Sequence, residues 1–459
     1  METDYLVVGA GAAGMAFADA LVAGCDVDVV LVDRRDAPGG HWNDAYPFVR
    51  LHQPSATYGV PSLPLGTDSL DTDGSYERAT GMEVCDYFRR VLEHRLLPTG
   101  RVRFEPMCDF VGSHTLVSRL TGRAKEVRVR RRVVDTTYLE VSVPATHTPG
   151  FTVDPDARVI PVGKLAELGE APAGYTVLGG GKTAMDACTW LLDHGVDPER
   201  IRWVRPREAW LIDRAFVQPL DLLPATIDGF SRAVEALAAA HDARDLFDRL
   251  EDGGHLFRLD ASVEPTMFRG AILSRAERDA LQRIERVVRQ GRVRHVGTDR
   301  IAMEDGEVPT SRGEVHVDCT ASGFRTAPAR PIFEPGRIVL QSLMGGFTTF
   351  NAALVGFVEA TRGDDTEKNR LCPPTPQPDR AVDWVSVVRG SLRASMLHAA
   401  EADLMAWREG CRLSLTRGMG SRLDDPLLQS AMARWGANMA PAVENADRLL
   451  AQVHASQIS

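Results

Sequence analysis

Gly9, Gly11 and Gly14 follow the apolar run Tyr5-Leu6-Val7-Val8 directly, and a helical stretch from Met15 to Ala23 follows them. Strand, glycine turn and helix in that order make a cradle for a pyrophosphate. Gly9 allows the tight turn, Gly11 lets the backbone approach the phosphates, and Gly14 lets the helix pack against the strand. Ala12 and Ala13 head the helix, where free N–H groups and the positive end of the helix dipole face an anion. The next strand, Val27 to Val32, ends in Asp33, 24 positions after Gly9, the place of an acid that takes a ribose hydroxyl; Arg34 stands beside it.

The arrangement recurs. Tyr175-Thr176-Val177-Leu178 leads into Gly179-Gly180-Gly181-Lys182-Thr183-Ala184 and then a helical run from Met185 to Leu192. Gly179, Gly181, Lys182 and Thr183 are the candidate contacts for a second dinucleotide, and Ala184 takes the third glycine's place, where only close helix packing is required. The following strand, Ile201 to Val204, runs into Arg205-Pro206-Arg207, 26 positions after Gly179. Cations there complement a 2′-phosphate in charge and in bidentate geometry, so Arg205 and Arg207 predict NADPH rather than NADH. Two solvated surface arginines are the plain alternative. Gly181-Lys182-Thr183 ends like a Walker A motif, but that motif's first glycine would fall on Thr176.

Just past Asp33 lie Gly39-Gly40-His41-Trp42, and then Tyr46-Pro47-Phe48-Val49-Arg50-Leu51-His52-Gln53-Pro54; much later comes Thr320-Ala321-Ser322-Gly323-Phe324. With the two glycine turns, these segments resemble the flavin-containing monooxygenases, the class B flavin-dependent enzymes, and among them the plant YUCCA-type members most. The resemblance implies FAD on the first cradle with Gly40, His41 and Trp42 near it, and NADPH on the second. It also implies a C4a-hydroperoxide that passes one oxygen of O2 to a small organic substrate. It places His52 and Gln53 beside the flavin as the candidate catalytic residues, Gly323 in the turn that returns the chain to the flavin, and Asn351 at the head of the last helix of that domain. Without the resemblance, Trp42 reads as a core residue and His52 as a loop histidine. The family's FxGxxxH element has no counterpart, since Phe151 is followed by Thr152-Val153-Asp154-Pro155-Asp156. A non-oxygenating flavin reductase or dehydrogenase, and a non-catalytic dinucleotide sensor, therefore stay open. A disulfide reductase is disfavoured because residues 26 to 84 hold no cysteine.

These residues need a large α/β frame with two Rossmann-type domains. The 459 residues suffice for it, and the expected division is 1–165 and 313–372 for the flavin domain, and 166–312 for the nicotinamide domain with a helical insertion at about 219–290. A helical C-terminal region at 373–459 follows the stiff Pro373–Pro378 run. In the insertion, Ser274 stands three before Glu277, a capping-box signature. Trp384, Trp407 and Trp435 read as core packing, with the C-terminal helices as the surface for self-association. Arg128 to Arg132 alternate with valines as a strand's solvated face. A net charge of −10 argues against nucleic-acid partners. Seven scattered cysteines suggest neither metal nor disulfides, and no apolar run spans a membrane, so a cytoplasmic protein is expected.

Overall fold

The computed structural model describes residues 1–458. Two parallel sheets carry the α/β architecture, each flanked by helices. In the first, the order is Phe333–Glu334, Arg337–Val339, Arg128–Asp135, Glu2–Val8, Val29–Val32, Val102–Glu105, with every pair parallel except the antiparallel hairpin at the 333 edge. The second runs Val159–Pro161, Glu314–Asp318, Gly174–Leu178, Ile201–Val204, Val287–Val288, all parallel. Strands such as Val29–Val32 are buried along their whole length, which is why they read as unbroken aliphatic runs.

Both sheets repeat one local plan. The central strand opens into the glycine turn, and its neighbour ends on an aspartate in register with the last strand residue: Val8 opposite Asp135, Leu178 opposite Asp318. Each aspartate accepts from the backbone N–H and hydroxyl of the threonine two residues on, Thr137 and Thr320. The sequence carries the pattern twice, as Val134-Asp135-Thr136-Thr137 and Val317-Asp318-Cys319-Thr320.

Arg128–Asp135 is an inner strand of the first sheet, and Arg128, Arg130 and Arg131 are exposed on it, as the solvated-face reading expects. Its arginines are tolerated there because acids meet them: Arg130 bridges Asp4 and Asp28, each at 2.9 Å, and Arg132 reaches Asp365 at 2.6 Å and Glu359 at 3.3 Å. The glycine-turn helix Ala12–Gly24 crosses the helix Thr348–Thr361 closely enough that a Cβ on Gly356 would lie 2.7 Å from the Phe17 carbonyl oxygen.

The stretch expected to be a helical insertion holds the helices Leu223–Ala239, Ala243–Asp252 and Arg275–Gln282, the last with the complete Ser274/Glu277 capping box. It is not purely helical. Leu256–Phe257 and Met267–Leu273 flank Ala209–Asp213 in a three-stranded sheet, the register shifting between Trp210 and Ile212 opposite Gly270, which adopts φ +69°. The proline run is laid along the body rather than spanning free space: Thr375 N–H donates to Ser342 and its hydroxyl to the Leu343 carbonyl. Beyond it, the helices Asp383–Ala399 and Pro426–Ile458 close a core with Leu223–Ala239 that contains Trp210 and Trp384. Trp407 stacks instead on Phe357, at 4.8 Å, beside the first sheet.

Candidate functional site

Gly9 sits at φ +106°, and a side chain on it would run into Thr136 Oγ1 at 2.3 Å; that hydroxyl donates to the Val8 carbonyl at 2.8 Å and holds the strand end. A Cβ on Gly14 would stand 2.0 Å from the Gly9 carbonyl oxygen, so this glycine sets the distance between helix and strand. Gly11 is the N-cap of the helix led by Ala12 and Ala13, and no side chain caps that end. Its Cα faces Gly40, whose own Cβ would come within 2.9 Å of it, and Gly39 N–H bonds the Ala10 carbonyl at 2.9 Å. The Gly39–Trp42 loop is thus one wall of the cradle.

Asp33 is buried and its carboxylate accepts from the N–H of Ala10 at 2.7 Å and of Arg35 at 2.8 Å, which fixes it at the cradle's floor with lone pairs to spare. Arg34 pairs with Glu140 near the surface. Trp42 donates its indole N–H to Tyr58 Oη at 2.7 Å, and His41 stacks on Trp42 at 5.3 Å. Burial, with Arg35 nearby, pushes the His41 imidazole down to about 4. At the head of Thr348–Thr361, Asn351 is 1% exposed, and its Nδ2 and the Thr349 hydroxyl find no partner. Orphaned buried polar atoms at a helix N-terminus fit a polar ring edge such as the flavin's, and the uncapped helix at Gly11 fits its pyrophosphate.

The second cradle is built likewise. Gly179 adopts φ +131° against the Cys319 carbonyl oxygen, and Trp203 Nε1 donates to the Gly179 carbonyl at 2.8 Å. Gly181 caps Lys182–Asp193 without a side chain. Gly180 belongs with these residues although the spacing did not single it out: a Cβ there would lie 2.8 Å from the Arg207 carbonyl oxygen. Ala184 is fully buried against the strand. Lys182 pairs with Asp186 one turn on, and Thr183 lies beside them. His147, rather than a residue after Phe151, is the histidine at this cradle, 2.7 Å from Asp318.

Neither arginine after Val204 stands free. Arg205 is 5% exposed, lies over the Trp203 ring at 4.7 Å, and faces Glu208 at 3.3 Å. Arg207 is held by Asp379 through two bonds of 2.8 Å, and Arg269 shares that carboxylate. The two cations hold Asp379 well below the usual carboxylate range.

The segment Tyr46–Gln53 joins the two cradles. Tyr46 Oη donates to Asp186 at 2.6 Å and Phe48 stacks on Trp190 at 4.8 Å, so it docks on the second unit's first helix while Leu51 N–H bonds Ala79 in the first. His52 thereby comes within electrostatic reach of Lys182, Asp186, Arg214 and Glu277, and burial, aided by the two cations, pushes it down to about 4. Gln53 Nε2 is engaged locally, donating to the Thr57 carbonyl and hydroxyl. Gly323, at φ +70°, lies in a two-stranded bridge with Val141–Ser142 that links the crossovers between the sheets. Among the described residues, no helix is long and apolar enough to cross a membrane, and no three His, Cys, Asp or Glu side chains gather as a metal site.

The sequence profile of an NAD(P)-binding Rossmann-like domain matches residues 7–65, the first cradle with its loop. Among solved structures, a flavin monooxygenase from Stenotrophomonas maltophilia is similar at 15% identity, over 81% of this chain and 99% of that one, with a TM-score of 0.45. A cyclohexanone-bound cyclohexanone monooxygenase is similar at 13% identity, over 93% and 98%, with a TM-score of 0.48. Much nearer in sequence are uncharacterized proteins of Mycobacterium bovis (Mb2023) and Mycobacterium tuberculosis (Rv2000), each 42% identical over 420 residues, 90% of this chain and 78% of theirs. With that identity across nine-tenths of its length, the chain belongs to the same family as these mycobacterial proteins.

Proposed function

We propose that this protein is an FAD-dependent, NADPH-using monooxygenase acting on a small organic substrate. One observation carries the reading: two complete glycine-turn cradles are tied together by a single segment, Tyr46–Gln53, that touches both. A hydride donor on one cradle and an acceptor on the other need such a junction. Bound flavin would supply the hydride acceptance and the reaction with dioxygen. The chain supplies the rest. Gly11 and Gly40 admit the flavin's phosphates, Asp33 its ribose, and Asn351 with Thr349 the ring edge. His41, Trp42 and Tyr58 shield one side of that space from water. The cradle residues and Tyr46–Gln53 serve a flavin reductase equally well, and the fate of oxygen separates the two. Anaerobic reduction of the yellow protein by NADPH, followed by mixing with oxygen, tests the reading. Retained oxygen without stoichiometric hydrogen peroxide supports it; one peroxide for every NADPH under all conditions refutes it. A cytoplasmic enzyme, self-associating through its C-terminal helices, is the setting we propose.

The two glycines of the first cradle should separate folding from cofactor binding. At Gly11 a Cβ meets only Gly40, its Cα at 3.5 Å and its N at 3.9 Å, ordinary contacts, so Gly11→Val is expected to fold and to purify colourless because its outer methyls enter the phosphate space. Gly14→Ala forces helix from strand and should destabilise by about 3 kcal/mol as well. Denaturant melts and flavin absorbance on the same samples distinguish these outcomes.

Cofactor preference resides in Arg207, fixed by Asp379 and less buried than Arg205. Arg207→Ala should raise the KM for NADPH about tenfold, roughly one charge-assisted hydrogen bond, and leave NADH unchanged. Arg205→Ala should weaken both cofactors and the fold alike, since it strips Glu208 of one partner and Trp203 of its cover. Equal losses for both cofactors in Arg207→Ala would remove the phosphate assignment.

A further inference from the structure

Where Asp213 gives way to the short helix Arg214–Phe216, a buried guanidinium is short of partners. The Arg214 side chain is 2% exposed; Nη2 donates to Glu277 Oε2 at 2.6 Å, while Nε and Nη1 reach no acceptor. Arg78 approaches the other Glu277 oxygen at 3.7 Å, and its Nε is also buried without an acceptor. Lys182 and Asp186 lie next to these groups, and His52 faces all four of Lys182, Asp186, Arg214 and Glu277. Three cations thus meet two anions, beside an imidazole that burial keeps neutral at pH 7. Asp71 and Asp73 also lie near Arg78, and Asp73 near Arg214, but both are exposed to water. A buried guanidinium is stable when its donors are satisfied, so three orphaned donor nitrogens, in a shielded cluster with one more cation than anions, mark a place for one more anion.

We propose that Arg214 and Arg78 form a subsite for a carboxylate carried by the organic substrate, held at the junction of the two cradles with His52 beside it. The proposal rests on the monooxygenase reading for its substrate, while the anion site itself needs no flavin chemistry. A guanidinium fork matches a carboxylate in shape. Glu277 repels a second negative charge, which selects a monoanion over a phosphate dianion. The chain as a whole is negative, at −10, so attraction of an anion must come from this local cluster and not from the overall field.

Calorimetric titration of the holoenzyme with acetate, phenylacetate and 4-phenylbutyrate, each beside its amide, tests this. At least one acid is expected to bind where its amide does not. Arg78→Gln and Arg214→Gln should weaken that binding about tenfold. Glu277→Gln is the deciding variant. It keeps the side-chain acceptor that caps Ser274 N–H, so the helix stays intact, and it frees both arginines; the acids should bind about tenfold tighter. A residue that merely holds the fold would not yield a gain. If no acid outperforms its amide in either the wild type or Glu277→Gln, the subsite does not exist. Competition by inorganic pyrophosphate, lost equally in Arg78→Gln and Arg214→Gln, would assign the cluster to the dinucleotide cradle and overturn the proposal. A protein that binds the acids but no flavin would keep this subsite and lose the proposed function.

Discussion

Between pH 6.5 and pH 4 the folded protein is expected to lose most of its stability. His41, His52 and His255 are each pushed down to about 4, in every case chiefly by burial. His255 is enclosed by the rings of Phe216, Phe230 and Trp384 and its Nδ1 has no partner. In the unfolded chain an imidazole titrates near 6.5. As the pH falls below that value the unfolded chain takes up protons that the folded chain refuses, so stability is intact above about 6.5 and falls until the folded imidazoles themselves titrate near 4. His255 contributes about 3 kcal/mol to that loss and the partly exposed His41 and His52 somewhat less each, so three together are comparable with the stability of an ordinary domain, about 5 to 15 kcal/mol. Denaturant melts at pH 7.5, 6 and 5 measure it. His255→Leu removes one titrating group outside the two glycine turns and should flatten the slope by about a third. A midpoint that stays constant from pH 7.5 to 5 would show that the three rings are solvated.

Which parts of this were legible in the sequence follows from how local each signal is. The glycine turns were legible because each glycine answers to a neighbour a few residues away, as Gly14 does to Gly9. The capping box of Ser274 and Glu277 was legible for the same reason. Arg205 and Arg207 show the limit. Their place after the strand was readable, but their partners are Glu208, nearby, and Asp379, 172 residues away, and no pattern announces the second. The strands inside the expected helical insertion were missed because Leu256–Phe257 is only two residues long and Met267–Leu273 is interrupted by Gly270, so neither shows a strict alternation. Asp135 and Asp318 were findable: the same Val-Asp-x-Thr closes a strand in both halves, and only a comparison of the halves reveals it. Arg214, Arg78 and Glu277 come from three separate segments, and their juxtaposition is a fact of tertiary packing alone.

His52→Ala is expected to divert oxygen to free hydrogen peroxide while leaving FAD content normal. The imidazole stands at the junction of the cradles and is neutral across the whole range from pH 6 to 9, since burial and the cations Lys182 and Arg214 oppose its protonation. A neutral ring cannot serve as a strong acid there; it can donate one hydrogen bond and exclude water. Loss of one preorganised donor in a dry site lowers a transfer step by about a hundredfold, whereas NADPH oxidation, which does not need the donor, should change little. Peroxide released per NADPH therefore rises toward one. The excess should be independent of pH between 6 and 9, because no titration of His52 falls in that window. Gln53→Ala should have a smaller effect on the ratio and a larger one on stability, as its amide is already committed to the Thr57 carbonyl and hydroxyl. Peroxide and NADPH are measured together in the wild type and both variants. A wild type that already releases one peroxide per NADPH, unchanged by His52→Ala, would place the protein among flavin reductases, and the missing FxGxxxH histidine, where Ala157 stands six residues after Phe151, would then be the sequence feature that distinguishes it.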